Sequence, residues 1–282
     1  MAASPSLSNG FGYRAHQRVR CVVLLMVLSI PAFVAAAEKP LLRIGYVEFP
    51  PYEYQNDAGE AAGSFIELSQ RVAEEAGYRV EFVYLPISRI YLFLQQGRID
   101  VWPGLTGIPM LEKQVIVSAS HPIRVELAAW FLGDTPPLTQ FDDLRGKRLI
   151  LISGYTYGGL AKYLKGLDDV ELTYTTNHRS ALDMLQRDRG DYLLDYVEPI
   201  KSTPGHDSFK GLQHSFVRER IAGWIFSRER PDAVRYRDEF DAAYQRLRER
   251  DGHSTDFSSP APGTLPGFPE SLVRQAPAGV GE

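Results

Sequence analysis

Cysteine is nearly missing from this sequence: there is one, Cys21, in 282 residues. It opens an apolar run, Cys21 to Val34, that follows Arg14, Arg18 and Arg20 and ends in Ala35-Ala36-Ala37. This is the pattern of a secretory signal peptide over residues 1–37, with cleavage before Glu38. The run is about 14 residues where a membrane span needs roughly 20, and Pro31 interrupts it. Processing removes the cysteine, so the mature chain is expected to have no disulfide, thiol nucleophile or thiolate metal site. Histidine is scarce too. His16 leaves with the leader, and His121, His178, His206, His214 and His253 show no metal-ligand spacing. A basic excess is lacking: without the three leader arginines, 28 Lys and Arg face 35 Asp and Glu, about −7, which argues against nucleic acid as a partner. The patterns G-x-S-x-G, H-E-x-x-H and the P-loop are absent, and the glycine-rich run Gly154 to Gly159 lacks the lysine a phosphate loop needs. No metal, cofactor or catalytic constellation is expected.

What is present is alternation. LLRIGYV (41–47) reads as a strand, and SFIELSQRVAEEAG (64–77) as a helix with Phe65, Leu68, Val72 and Ala76 on one face. RVEFVYL (79–85) reads as a strand, SRIYLFLQQG (88–97) as a helix capped by Ser88, and IDVWPGL (99–105) as a strand. A second block follows: KRLILIS (147–153), a helix opening at GYTYGG, VELTYTT (170–176), HRSALDMLQRDRG (178–190) and DYLLDY (191–196). Such order predicts two α/β lobes with parallel strands. PIRVELAAWFL (122–132) and IAGWIFS (221–227) are extended segments suited to crossing between them, and a charged helix from Asp232 to Arg250 would return to the first lobe. The tail from His253 to Glu282, with five prolines and little periodicity, is expected to be disordered.

In order and spacing, IGYVEFPPYEYQNDAGEAAGSFIEL, LQQGRIDV, DDLRGKRLILISGYTYGG and ALDMLQRDRGDYLLDY resemble the type II periplasmic solute-binding proteins, specifically extracellular solute-binding protein family 3. The resemblance implies an α/β, two-lobed Venus-flytrap fold with two hinge crossings. Lobe 1 would take residues 38–125 and 225–252, and lobe 2 residues 126–224. It further implies a monomeric periplasmic protein that captures a small polar or anionic, amino-acid-like metabolite and delivers it to an inner-membrane ABC permease.

Ligands of open α/β sheets sit at the carboxyl ends of strands. Phe49 and Tyr52, where the first strand stops at Pro50-Pro51, are expected as an aromatic wall, with Tyr54 nearby. Gly154, Tyr155 and Thr156 open the second lobe's helix, and the resemblance puts the family's ligand-anion contacts there; free N–H groups at such a helix start suit an anion. Trp102, Gly104 and Thr106 are expected opposite them. Two departures stand out. The arginine that grips an α-carboxylate in amino-acid-binding relatives would fall on Leu111, or on Lys113 by the alternative count. The ammonium-holding aspartate would fall on Tyr196, with Asp195 one residue early and so on the opposite strand face unless a bulge corrects it. Arg89 is the candidate to replace the missing cation. The same fold also resembles periplasmic cyclohexadienyl dehydratases, whose chemistry needs a cleft acid such as Glu48 or Glu53. A third possibility is a ligand-sensing partner of a membrane receptor.

Overall fold

The computed structural model describes residues 1–4, 39–252, 256–257 and 263–273; the expected leader falls almost wholly outside them. Strand β1 (Leu41–Tyr46) buries Leu42 and Ile44 completely and pairs in parallel with β4 (Arg79–Tyr84) and β5 (Val101–Leu105). Between β1 and β4 lie a short hairpin, β2 (Tyr54–Gln55) with β3 (Ala61–Ala62), and helix α1 (Ser64–Glu75); α2 (Ile87–Gln95) joins β4 to β5. After β6 (Val115–Val117), the long strand β7 (Ile123–Phe131) leads into the second half: β8 (Arg148–Ile152), α3 (Leu160–Lys165), β9 (Glu171–Thr175), α4 (His178–Gln186), β10 (Tyr192–Tyr196) and α5 (Val197–Ser202). The chain returns through β11 (Gln213–Ser227) into α6 (Ala233–Asp251), and a last turn, α7 (Glu270–Val273), lies in the tail.

One curled sheet runs through both halves in the order β4-β1-β5-β11-β7-β10-β8-β9, with β6 on β11. Strand β7 pairs antiparallel over its whole length with residues 213–222 of β11, and the two are the crossings. Residues 222–226 of β11 pair with β5, and residues 127–130 of β7 pair with β10, so the chain changes lobe between these stretches. In the first lobe Trp224 is fully buried, its Nε1 donating to Ser69 Oγ at 2.9 Å, with Phe65, Phe240 and Tyr244 packed around it. Tyr236, Phe240, Ala243, Tyr244 and Leu247 of α6 form a helical stripe on that core, the apolar face of the helix read from sequence as charged. In the second lobe Ile150, Ile152, Leu182 and Leu193 fill the space between α4 and the sheet.

Several expectations change. Helix α2 begins at Ile87 with Pro86 before it and no side-chain cap, so Ser88 is not its cap. The helix expected to open at Gly154 begins only at Leu160 and has six residues. Tyr157, Gly158 and Gly159 all have positive φ (50°, 62° and 88°), a left-handed run that no α-helix accommodates. The second crossing is twice the length read from the sequence, because QHSFVRER also joins β11 and bulges at Val217, between Phe216 and Arg218.

The tail departs most. Residues 263–273 are not the disordered extension that was expected: Leu265, Phe268 and Leu272 are buried. Glu219 N donates to Gly263 O at 2.9 Å, Leu265 N to Val217 O at 2.8 Å and Phe141 N to Pro266 O at 2.8 Å. The Phe268 ring meets Phe141 edge-on at 5.3 Å and lies under the Arg218 guanidinium at 4.9 Å. Nearer α6, Phe257 N donates to His121 O at 2.8 Å. The described pieces of the tail thus touch β11 at residues 217–219 and the chain just before β7 at His121, and their three apolar anchors find partners that sequence periodicity does not display.

Candidate functional site

Strand ends from both lobes meet around a cavity whose space, open mouth included, is about 530 Å³. The first lobe contributes Phe49 and Tyr52 from the turn after β1, where the Pro50–Pro51 peptide is cis. It also contributes Tyr91 from α2 and Trp102 and Gly104 from β5. The second lobe contributes Tyr155, Thr156 and Tyr157 from the turn after β8 and Tyr196 from the end of β10. Phe49 stacks on Tyr52 at 5.8 Å and reaches across to Tyr155 at 6.4 Å and Tyr196 at 5.2 Å. The rings are therefore a wall between lobes and also their contact. Polar links cross as well: Tyr155 Oη donates to Glu48 O at 3.4 Å, and the Tyr91 hydroxyl bonds the Thr156 side chain.

Six of the residues expected from sequence line this cavity: Phe49, Tyr52, Trp102, Gly104, Tyr155 and Thr156. Four do not. Arg89 is exposed on α2. Gly154 is exposed, although its Cα approaches Ile87 of the opposite lobe so closely that a Cβ would lie 2.7 Å from Ile87 Cγ2. Thr106 is buried with Oγ1 donating to Ile221 O at 3.2 Å. Asp195 has no exposed surface: one oxygen meets His178 Nδ1 at 2.7 Å and the other accepts from Tyr196 N at 2.8 Å. No bulge rescues the one-residue offset in β10. Tyr196 faces the cavity and Asp195 faces away, as the two-residue period requires.

Gly104 is needed for a specific reason. A Cβ there would overlap the Trp102 indole, which lies flat over the glycine backbone and turns its Nε1 toward Glu53 Oε1 at 3.4 Å. Gly104→Ala is expected to displace Trp102 and to lower stability by about 1–3 kcal/mol, as overpacking does, with a shift in tryptophan emission; unchanged emission and an unchanged urea midpoint would show that the indole is not held there.

Sequence reasoning missed the cation of the site. Arg220, one residue before the stretch read as the second crossing, is 4% exposed and lines the cavity. Its Nη2 donates to Thr106 O, whereas Nη1 has no hydrogen-bond partner among the described residues. The available signal was two arginines, Arg218 and Arg220, at the two-residue spacing that puts them on one strand face just before the apolar stretch IAGWIF. Leu111, where relatives would have arginine, is 1% exposed in the core. Of the two acids weighed for proton donation, Glu53 lines the cavity and Glu48 does not. Glu53 is 3% exposed, and burial pushes its carboxyl well above the ordinary 4.5, toward the neutral form.

Beside the cavity, His178 joins the lobes. Burial works against the charged ring, but Asp195, by charge and hydrogen bond, and then Glu48 outweigh it, and the His178 pKa is raised above 6.5. His178 also bonds the Glu48 backbone, across the cleft, and Tyr155 packs on its ring at 6.1 Å. Burial raises the Glu48 carboxyl too. Both shifts have the same sign. The folded chain's extra proton affinity at His178 stabilises it fully below about pH 6.5, and this contribution is lost as pH rises through the raised value. Stability is expected to fall with rising pH over that window, and His178→Gln to flatten the profile; urea unfolding at several pH values checks this. A wild-type profile as flat as the variant's would mean that His178 takes up no extra proton on folding.

The model for bacterial extracellular solute-binding proteins, family 3, matches residues 42–251. The chain belongs to this family. Its family fold is the two-lobed periplasmic binding protein fold, and its family role is binding small solutes outside the cytoplasm. Among solved structures, a histidine kinase sensor domain with similarity to periplasmic binding proteins is alike with TM-score 0.65 and 25% identity, over 75% of this chain and 92% of its own. The substrate binding protein of an amino acid ABC transporter gives 0.61 at 19% identity over 75% and 94%. Holo ArgBP from T. maritima gives 0.62 at 19% over 74% and 90%. The last two likenesses show the fold alone. Among the described residues, no group of His, Cys, Asp and Glu is placed to hold a metal, and no helix is long and apolar enough to cross a membrane.

Proposed function

We propose that this family member is a periplasmic solute-binding protein that encloses a small anionic metabolite between its lobes and hands it to an inner-membrane ABC permease. The observation that carries the reading is the cavity itself, lined from both sides of the cleft by Phe49, Tyr52 and Trp102 against Tyr155, Thr156 and Tyr196. A solute touching both walls binds the closed form better than the open one, and that difference is what drives closure. Export through a cleaved leader at residues 1–37 and a monomeric state belong to the same proposal. The site residues are the six lining positions named from sequence, with Arg220 replacing Arg89 as the cation.

A thermal-shift screen of the full mature chain against amino acids, amines, keto acids and dicarboxylates at about 1 mM tests it. A solute of micromolar affinity adds about 4 kcal/mol by mass action, a shift of several degrees. Silence across every class would count against solute capture. One observation favours a second reading: the likeness to a histidine kinase sensor domain reaches 25% identity. In that reading the closed form is read in trans by a membrane receptor, and co-purification with a receptor in place of a permease would distinguish the two.

A further inference from the structure

From the charges that do and do not face the cavity, we infer that its solute is a small monocarboxylate with an aromatic or branched apolar body and no ammonium group, anchored by Arg220. The inference rests on the solute-binding reading above and narrows it to a chemical class.

A guanidinium in an aromatic cavity requires a partner, because a buried ion left unpaired is strongly disfavoured. Arg220 forms no ion pair among the described residues. Its Nη2 is committed to the Thr106 carbonyl and the guanidinium also bonds the Tyr196 side chain, while Nη1 has no hydrogen-bond partner among the described residues. Arg218, two residues along the same strand, adds a second positive charge, and burial together with the Arg220 charge holds the Arg218 guanidinium below its ordinary range. Across the cleft Gly158, with φ 62°, leaves room for the guanidinium: a Cβ there would lie 2.6 Å from Nη1. A carboxylate oxygen at Nη1 satisfies both the open donor and the charge, by a charge-assisted bond of the stronger kind.

Nothing comparable awaits an ammonium. Asp195 turns away from the cavity with both oxygens occupied. Glu53 is the one carboxyl on the lining; it already accepts from Trp102 Nε1 and Val47 N, each at 3.4 Å, and burial favours its neutral form. The rest of the surface is mostly rings and branched aliphatics, including Ile87, Ile108, Ile123 and Val125, with the Thr156 side chain as its other polar group besides the tyrosine hydroxyls. An amino acid would bring one charge that is matched and one that is not. A dianion would bring a second carboxylate with no second cation on the lining.

Calorimetric titration of the full mature chain with 3-phenylpropanoate, L-phenylalanine and phenethylamine tests this, since the three share a body and differ in charge. 3-Phenylpropanoate is expected to bind at least about tenfold more tightly than phenylalanine, with phenethylamine weakest. Arg220→Met is expected to weaken 3-phenylpropanoate by about thirtyfold or more. The ligand series is read on the unsubstituted chain, so it decides the matter even where Arg220→Met does not fold. Tighter binding of phenylalanine, or equal binding of 3-phenylpropanoate by the variant, overturns the inference. If none of the three binds while a solute of another class from the wider screen does, the class is wrong and solute capture stands. If no solute binds at all, both readings fail together.

Discussion

A chain carrying Asp195→Ala is expected to lose about 3–5 kcal/mol of stability, a fall in Tm on the order of 10 °C. Asp195 is wholly enclosed at the end of β10, where it satisfies His178 Nδ1 and the Tyr196 backbone N–H. Alanine leaves a buried imidazole and a buried amide without their acceptor, and the desolvation already incurred by each is not recovered. Asp195→Asn keeps an acceptor for Tyr196 N and a polar neighbour for His178, so it is expected to lose clearly less. The pair also separates two roles. If Asp195 were a ligand contact, as the resemblance first suggested, the asparagine variant would stay stable and lose affinity steeply. The structure instead makes Asp195 a support for the interlobe contact of His178 with Glu48, so affinity and stability should decline together and modestly in that variant. A stable Asp195→Asn chain with affinity down a hundredfold would sink this assignment.

The second large effect concerns the tail. A chain ending at Gly252 is expected to be less stable than the full chain by roughly 2–3 kcal/mol, net of the entropy of ordering the segment, seen as a Tm several degrees lower. Leu265, Phe268 and Leu272 are each at most 7% exposed, and removing them uncovers Phe141, Val217 and the Arg218 guanidinium. Arg218, beside the β11 bulge, then loses its contact with the Phe268 ring. Because the described tail segments bond to His121 just before β7 and to residues 217–219 of β11, truncation should also speed hydrogen exchange at β7 and β11 in particular. Exchange that rises no more there than elsewhere, with an unchanged Tm, would mean that the tail contributes nothing to the crossings. Prolines 262, 266 and 269 make such docking less demanding, since they restrict the undocked chain as well.

Most of the fold was legible because the repeat of buried positions is a local property. The apolar alternation of LLRIGY and RLILI, and the stripe Tyr236, Phe240, Tyr244, Leu247, specify strand and helix from neighbours in sequence. The aromatic wall was legible for a similar reason: Phe49 and Tyr52 follow a strand that two prolines stop, and strand ends are where these sheets form their sites. The start of α3 was misread because glycine-rich turns and helix starts share a composition, and only the backbone shows that Tyr157 to Gly159 is left-handed. The docked tail was misread because an extended segment shows no period even when its side chains are buried.

The sequence by itself determined the two α/β halves, their two extended connections, the aromatic turn after the first strand, and the absence of arginine at position 111. Each follows from residue order, spacing or identity. Only the tertiary structure decided what replaces that arginine and which way the acids face. Arg220 reaches the cavity because β11 begins at Gln213 and runs on antiparallel to β7, a pairing set by contacts some 95 residues apart. Asp195 and Tyr196 differ by one position in sequence and by opposite faces in the sheet, so a charge that reads as a ligand partner becomes a buried support, and a phenol takes its place at the cavity.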